Sequence, residues 1–189
     1  MLIKLEKFKT CDVKILASWI PDKEFLLQWA GPAYSFPLSE DQLQEDINMM
    51  SSENPKTLMF AAKIADTNEI IGHIQLLGID LVNSSACIGR VLVGNQKLRN
   101  KGIGIQMING ILDIAFETLK LHRVYLGVFD FNKSAIACYE KAGFKIEGTS
   151  RDFRKINDEY WSLINMSILE EEYKKGFRLE NATLKDGKK

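Results

Sequence analysis

Residues 86–119, ACIGRVLVGNQKLRNKGIGIQMINGILDIAFETL, decide how the rest of the chain is read. Ile88, Val91, Leu92 and Val93 make the aliphatic, β-branched run of a buried strand, while Ile103, Met107, Ile108, Ile111, Leu112, Ala115 and Phe116 fall at helical spacing. Between them a polar loop ends in Arg99-Asn100-Lys101-Gly102-Ile103-Gly104. The first N–H groups of a helix lack partners within it and carry the positive end of its dipole. Glycines at such a join let a phosphate settle onto them. Lys97, Arg99 and Lys101 concentrate charge at the same spot. No Gly-Lys-Ser/Thr closes the loop as in a Walker motif, and Met107 stands where a dinucleotide fingerprint has its third glycine. Taken alone, the two glycines fit an anion cradle and a plain turn equally well.

Moving outward, a strand at Arg123–Phe129 follows the long helix, and then comes Asn132-Lys-Ser-Ala-Ile-Ala-Cys-Tyr139-Glu-Lys-Ala-Gly143-Phe144. A spacing of seven residues, about two helical turns, puts Asn132 and Tyr139 on one side of a helix. Arg99-x-x-Gly102-x-Gly104 resembles the acetyl-CoA pyrophosphate loop of the GNAT superfamily of N-acetyltransferases, and the second segment is similar to that family's N-x-x-A-x-x-x-Y-x-x-x-G-F pattern. The resemblance extends over residues 2–173 and points to the branch that acetylates ribosomal-protein N-termini and small amines.

It implies an α/β (α+β) fold, a mixed and mostly antiparallel sheet flanked by helices on both faces. It also implies acetyl-CoA as co-substrate, no metal, and direct transfer of acetyl to a primary amine of a small molecule or a protein N-terminus. The cofactor would lie along Val91, Leu92 and Val93, over Lys97, Leu98, Arg99, Asn100, Lys101, Gly102, Ile103 and Gly104, and beside Asn132. Tyr139 would be the general acid for the departing thiolate. In this family the segment between the first two helices overhangs the acceptor, which makes Trp29, Tyr34 and Phe36 candidate pocket walls, with His73 on the strand Glu69–Leu77 reaching the same side.

The residues themselves leave plainer readings open: a packed core role for Tyr139, a hydrophobic staple for the aromatic stretch, a surface or core role for His73. Two departures from the branch's pattern put the acceptor's identity in question, Asp158 in place of glycine and Ser162 in place of a carboxylate. Ala86–Arg90 also lacks the carboxylate that some relatives carry there. A site without a strong base suits an amine that is already partly neutral, since a peptide α-amine has a pKa of about 7.7–8.0 and a lysine amine about 10.4.

The remaining stretches fit this frame. A strand is expected at Leu2–Phe8, a short helix with Val13, Ile15, Leu16 and Trp19 capped by Asp12, an irregular aromatic, proline-punctuated segment from Pro21 to Pro37, and a helix from Ser39 to about Met50. Two strands, Thr57–Ile64 and Glu69–Leu77, read as a hairpin, and a second hairpin ends near Leu169. The 189 residues suit one domain, 1–173, followed by a charged tail, 174–189, expected to fray.

Twenty-five basic against twenty-five acidic residues argue against a nucleic-acid or anionic-membrane surface. Cys11, Cys87 and Cys138 lack disulfide or metal spacing, which points to a reduced, cytoplasmic setting, and no apolar run reaches the length of a membrane span. The oligomeric expectation is a monomer or homodimer. Three other functions stay open: an acyl-CoA-binding or sensing domain without turnover, a polyamine or aminoglycoside acetyltransferase, and a nucleotide-binding or structural module in which Gly102 and Gly104 only make a turn.

Overall fold

The computed structural model describes residues 1–176; of the tail expected to fray, 177–189 lie outside the described residues. The elements are β1 (Ile3–Lys7), α1 (Val13–Ser18), α2 (Lys23–Ala30), α3 (Glu40–Met49), β2 (Thr57–Ile64), β3 (Ile70–Asp80), β4 (Ser85–Val93), α4 (Ile103–Asp113), β5 (Arg123–Phe129), α5 (Lys133–Lys141), β6 (Lys145–Ile156) and β7 (Glu159–Leu169). The seven strands form one sheet in the order β1-β2-β3-β4-β5-β7-β6. Every pairing is antiparallel except β4 with β5, as expected for a strand-helix-strand crossover through α4.

Side-chain alternation sorts the sheet's two faces. Leu58, Phe60 and Ala62 of β2 join Ile103, Met107, Ile108 and Ile111 of α4 in one core, together with Val124 and Leu126 of β5 and Ile136 and Tyr139 of α5. Met59 and Ala61, pointing the other way, join Val13, Leu16, Leu26 and Leu43 from α1, α2 and α3. Strands covered on both faces need apolar residues at consecutive positions, which is why β2 and β3 lack a clean polar alternation. Fully buried leucines and isoleucines such as Leu16, Leu43 and Ile111 each contribute about 1.5–3 kcal/mol.

Three local expectations need correction. The stretch from Pro21 begins with a regular helix: the Asp22 carboxylate accepts from the Phe25 N–H at 2.8 Å and starts α2, which Gly31, at φ +62°, ends. Asp12 does not cap α1 with its side chain. It accepts instead from the Lys9 N–H at 2.9 Å, closing the turn before the helix. The chain also does not leave the body at Tyr173. Residues 170–176 are helical, and Tyr173 lies on Phe116 with ring centroids 5.0 Å apart, its hydroxyl donating to Asp113.

Candidate active site

β4 and β5 pair only at Ser85–Arg123, Ala86–Val124 and Cys87–Tyr125. Beyond Cys87 the two strands part, while β4 keeps its other neighbour as far as Val93, opposite Gly72 of β3. The β5-facing edge of Ile88–Val93 therefore has no strand partner, and backbone groups in that position need one. A cleft of about 730 Å³ occupies the gap.

The α4 end of the cleft is set by local conformation. Gly102 caps α4 in the left-handed region at φ +76°, which a side chain would strain, so the chain turns sharply and leaves the first α4 amides at the cleft. A Cβ at Gly104 would already touch Cys138 Sγ on α5 at 3.4 Å, so the join has little room for anything larger.

Val91, Leu92, Val93, Leu98, Arg99, Asn100, Gly102, Gly104 and Asn132 all line the cleft, as does Tyr139. Lys97, Lys101 and Ile103 do not. The two lysines are exposed, and the Ile103 side chain is sealed into the core between the lining glycines Gly102 and Gly104. Asn132 caps α5, its Oδ1 accepting from the Ala135 N–H at 3.3 Å. Its amide nitrogen is left for a ligand. Tyr139 is 8% exposed, packs edge-on against Phe144, and makes no side-chain hydrogen bond to the described residues. Burial raises its pKa, with Cys138 and Cys87 as smaller contributors, so the hydroxyl stays protonated.

The acceptor side departs more from expectation. Trp29 lines the cleft, joined by Phe25 and Gln28 of α2. Tyr34, Phe36 and His73 do not. Phe36 is an exposed loop side chain, and the other two belong to a polar chain in which His73 and Gln75 are buried and Tyr34, Asp46 and Arg90 half-buried. Arg90 Nη1 donates to the Tyr34 hydroxyl, to Gln75 Oε1 at 2.8 Å and to Asp46 Oδ2 at 3.2 Å. Tyr34 donates to Asp46 at 2.5 Å, and the Gln75 amide meets His73 Nε2 at 2.8 Å. Burial first, and then Arg90, push the His73 pKa down to about 3. This histidine stays neutral near pH 7 and does not exchange protons with the cleft.

Sequence reasoning passed over Arg90. Gln75 faces Gly89 and His73 faces Leu92, so Ile74 opposes two residues of β4, a bulge with Arg90 at φ +52°. A glycine followed by a cation inside an apolar strand was the available signal. Burial pushes the Cys87 thiol up to about 11 and raises that of Cys138 as well, which disfavours their thiolates. Among the described residues no three His, Cys, Asp or Glu side chains gather as metal ligands, and no helix is long and apolar enough to cross a membrane.

The spermidine N(1)-acetyltransferase of Vibrio cholerae is 28% identical over 171 residues, covering 90% of this chain and 95% of its own length. The structure of the Vibrio cholerae spermidine N-acetyltransferase in complex with CoA and spermine superposes with a TM-score of 0.78 at 27% identity, covering 90% of this chain and 97% of that one. A structure described as the dodecameric form of the same enzyme in an intermediate state gives 0.72 at 26% identity, covering 90% and 95%. The model of the acetyltransferase (GNAT) family matches residues 23–144, the span from α2 through the strand gap to Phe144, and the chain belongs to that family.

Proposed function

We propose that this acetyl-CoA-dependent N-acetyltransferase acts on a primary amine of a small molecule or a protein N-terminus, with a single catalytic domain that includes the helical residues 170–176. The observation that carries the reading is the one-sided pairing of β4. The free edge of Ile88–Val93 offers backbone hydrogen bonds to the amides of a pantetheine arm, the α4 amides at Gly102–Gly104 meet the pyrophosphate, and Asn132 Nδ2 orients the arm between them. The bound cofactor supplies an activated thioester.

α2 presents the acceptor amine to that thioester, with Phe25 and Trp29 excluding water from the approach. The amine nitrogen forms a bond to the carbonyl carbon, the carbon–sulfur bond breaks, the sulfur takes a proton and the nitrogen loses one. Tyr139 holds its proton at the hydroxyl oxygen and offers it to the departing sulfur. A phenol weakened by burial is a poorer acid than a thiol of pKa about 8.5, so its contribution lies nearer hydrogen bonding than full transfer. The described lining holds no carboxylate or neutral histidine to act as base, which favours amines that reach the site already neutral. The relatives' polyamine acceptors support a small amine here, and the three free cysteines support a reducing, cytoplasmic compartment.

Acetyl-CoA should raise the melting temperature where ATP and NAD do not, and acetyl-CoA consumption should depend on an added amine from a panel of N-terminal peptides, amino acids, polyamines and aminoglycosides. Cofactor turnover that no amine stimulates would replace this reading with the acyl-CoA-sensing one.

A further inference from the structure

Arg90 is the charged residue of the acceptor wall, and its geometry is unusual for a structural arginine. All three of its hydrogen bonds run through Nη1, to Tyr34, Gln75 and Asp46, and the Tyr34 ring lies against the guanidinium with the centroid 4.4 Å from Cζ. Nε and Nη2 have no partner among the described residues, and neither is sealed from solvent. The left-handed bulge at Arg90 and its three partners hold the Nη1 side of the guanidinium, and Arg90 lines the cleft. Nε and Nη2 together form the flat two-donor fork that matches a carboxylate.

The other charged residues of the described lining, Arg99 and Lys141, are also cations, and no Asp or Glu lines the cleft among the described residues. Asp46 offsets part of the Arg90 charge but occupies its Nη1 side only. A polyamine would bring its second ammonium to a wall without a carboxylate to receive it.

From this we infer that Arg90 is the specificity-determining residue of the acceptor site and that the acceptor is an α-amino acid, its carboxylate held by Arg90 Nε and Nη2 and its side chain set against Phe25 and Trp29. This rests on the reading of the cleft as an amine acetyltransferase site. The cation also disfavours an ammonium beside it, which helps the amine arrive neutral where no base is in reach.

The probes are L-leucine, L-leucinamide, which has the same side chain and amine but no carboxylate, and spermidine. Each is measured as kcat/KM with saturating acetyl-CoA. Leucine should exceed leucinamide by about tenfold or more although the amide has the more neutral amine, and should exceed spermidine as well. In Arg90→Gln the leucine-to-leucinamide ratio should fall about ten- to a hundredfold, mainly through the KM for leucine, and Arg90→Lys should restore it only in part, since an ammonium lacks the fork. Thermal protection by acetyl-CoA reports whether each variant is folded, and the wild-type ratio is decisive even if a variant is not. Wild-type enzyme that prefers leucinamide or spermidine overturns the inference, as does an Arg90→Gln ratio equal to wild type. Acetylation of N-terminal peptides with all three probes inert would overturn it while leaving amine acetylation standing, and inertness of every amine would remove both.

Discussion

The two walls of the cleft are built by different means. On the α4–α5 side the lining is shaped by backbone, with a strand edge, a helix start and two glycines, and Asn132 and Tyr139 stand among its polar side chains. On the α2 side it consists of side chains brought from four separate elements, with Arg90 held by Tyr34, Gln75 and Asp46. A backbone wall recognises what all acyl donors of one cofactor share, whereas a side-chain wall recognises what distinguishes one acceptor from another. The first depends on local sequence and the second on assembly.

The largest effect expected is chemical and falls on the backbone wall. Tyr139→Phe keeps the ring packed on Phe144 and removes one hydroxyl, so acetyl-CoA affinity should hold while kcat falls by about 10²-fold, the low end of the usual 10²–10⁴ range for a general acid. Pre-steady-state turnover set beside a binding titration checks this. Full turnover with lowered thermal stability would make Tyr139 a core residue only.

Next comes Gly104→Val, which should weaken CoA binding by about ten- to a hundredfold, because branched carbons would fill the join toward Cys138 and a charge-assisted hydrogen bond is worth about 1.5–3 kcal/mol. Calorimetry on the folded variant measures it, and unchanged affinity would break the claim that this wall works through its amides.

A pH titration separates the walls in another way. His73 is held neutral in the fold, with its pKa lowered to about 3, whereas the unfolded chain protonates it near 6.5. Between these values the unfolded state binds the extra proton, so stability is full above about pH 6.5 and declines as pH falls toward 3, by up to about 1.4 kcal/mol per pH unit. Denaturant unfolding across pH 4–8 should show this slope in the wild type and a flatter one in His73→Gln. Equal slopes would mean that the acceptor-side chain is not sealed as described.

The smallest effect expected is that of Asp46→Asn, which leaves Arg90 two neutral partners and should cost about 1 kcal/mol of stability, given that Asp46 is about one-third exposed. A loss several times larger would show the ion pair, and not the bulge, to be what holds the wall.

The sequence by itself determined what repeats along the chain or sits within one turn of it. The β4-loop-α4 reading followed from apolar periodicity and two glycines, the placement of Asn132 and Tyr139 from a seven-residue spacing, and the sheet with helices on both faces from the order of strands and helices together with the family resemblance. These properties are local because backbone amides, helix periods and left-handed glycines act through neighbouring residues. Tertiary structure alone decided that β4 bulges at Arg90, that Tyr34, Asp46, Gln75 and His73 meet from α3, β3 and the loop after α2, and that Ile103 turns into the core between two glycines that line the cleft. Those contacts join residues up to 56 positions apart in sequence. A side chain's burial and charge environment belong to the packed neighbours it meets, so a loop tyrosine and an ordinary histidine became parts of one hydrogen-bonded scaffold, and a cation inside an apolar strand became part of the cleft wall.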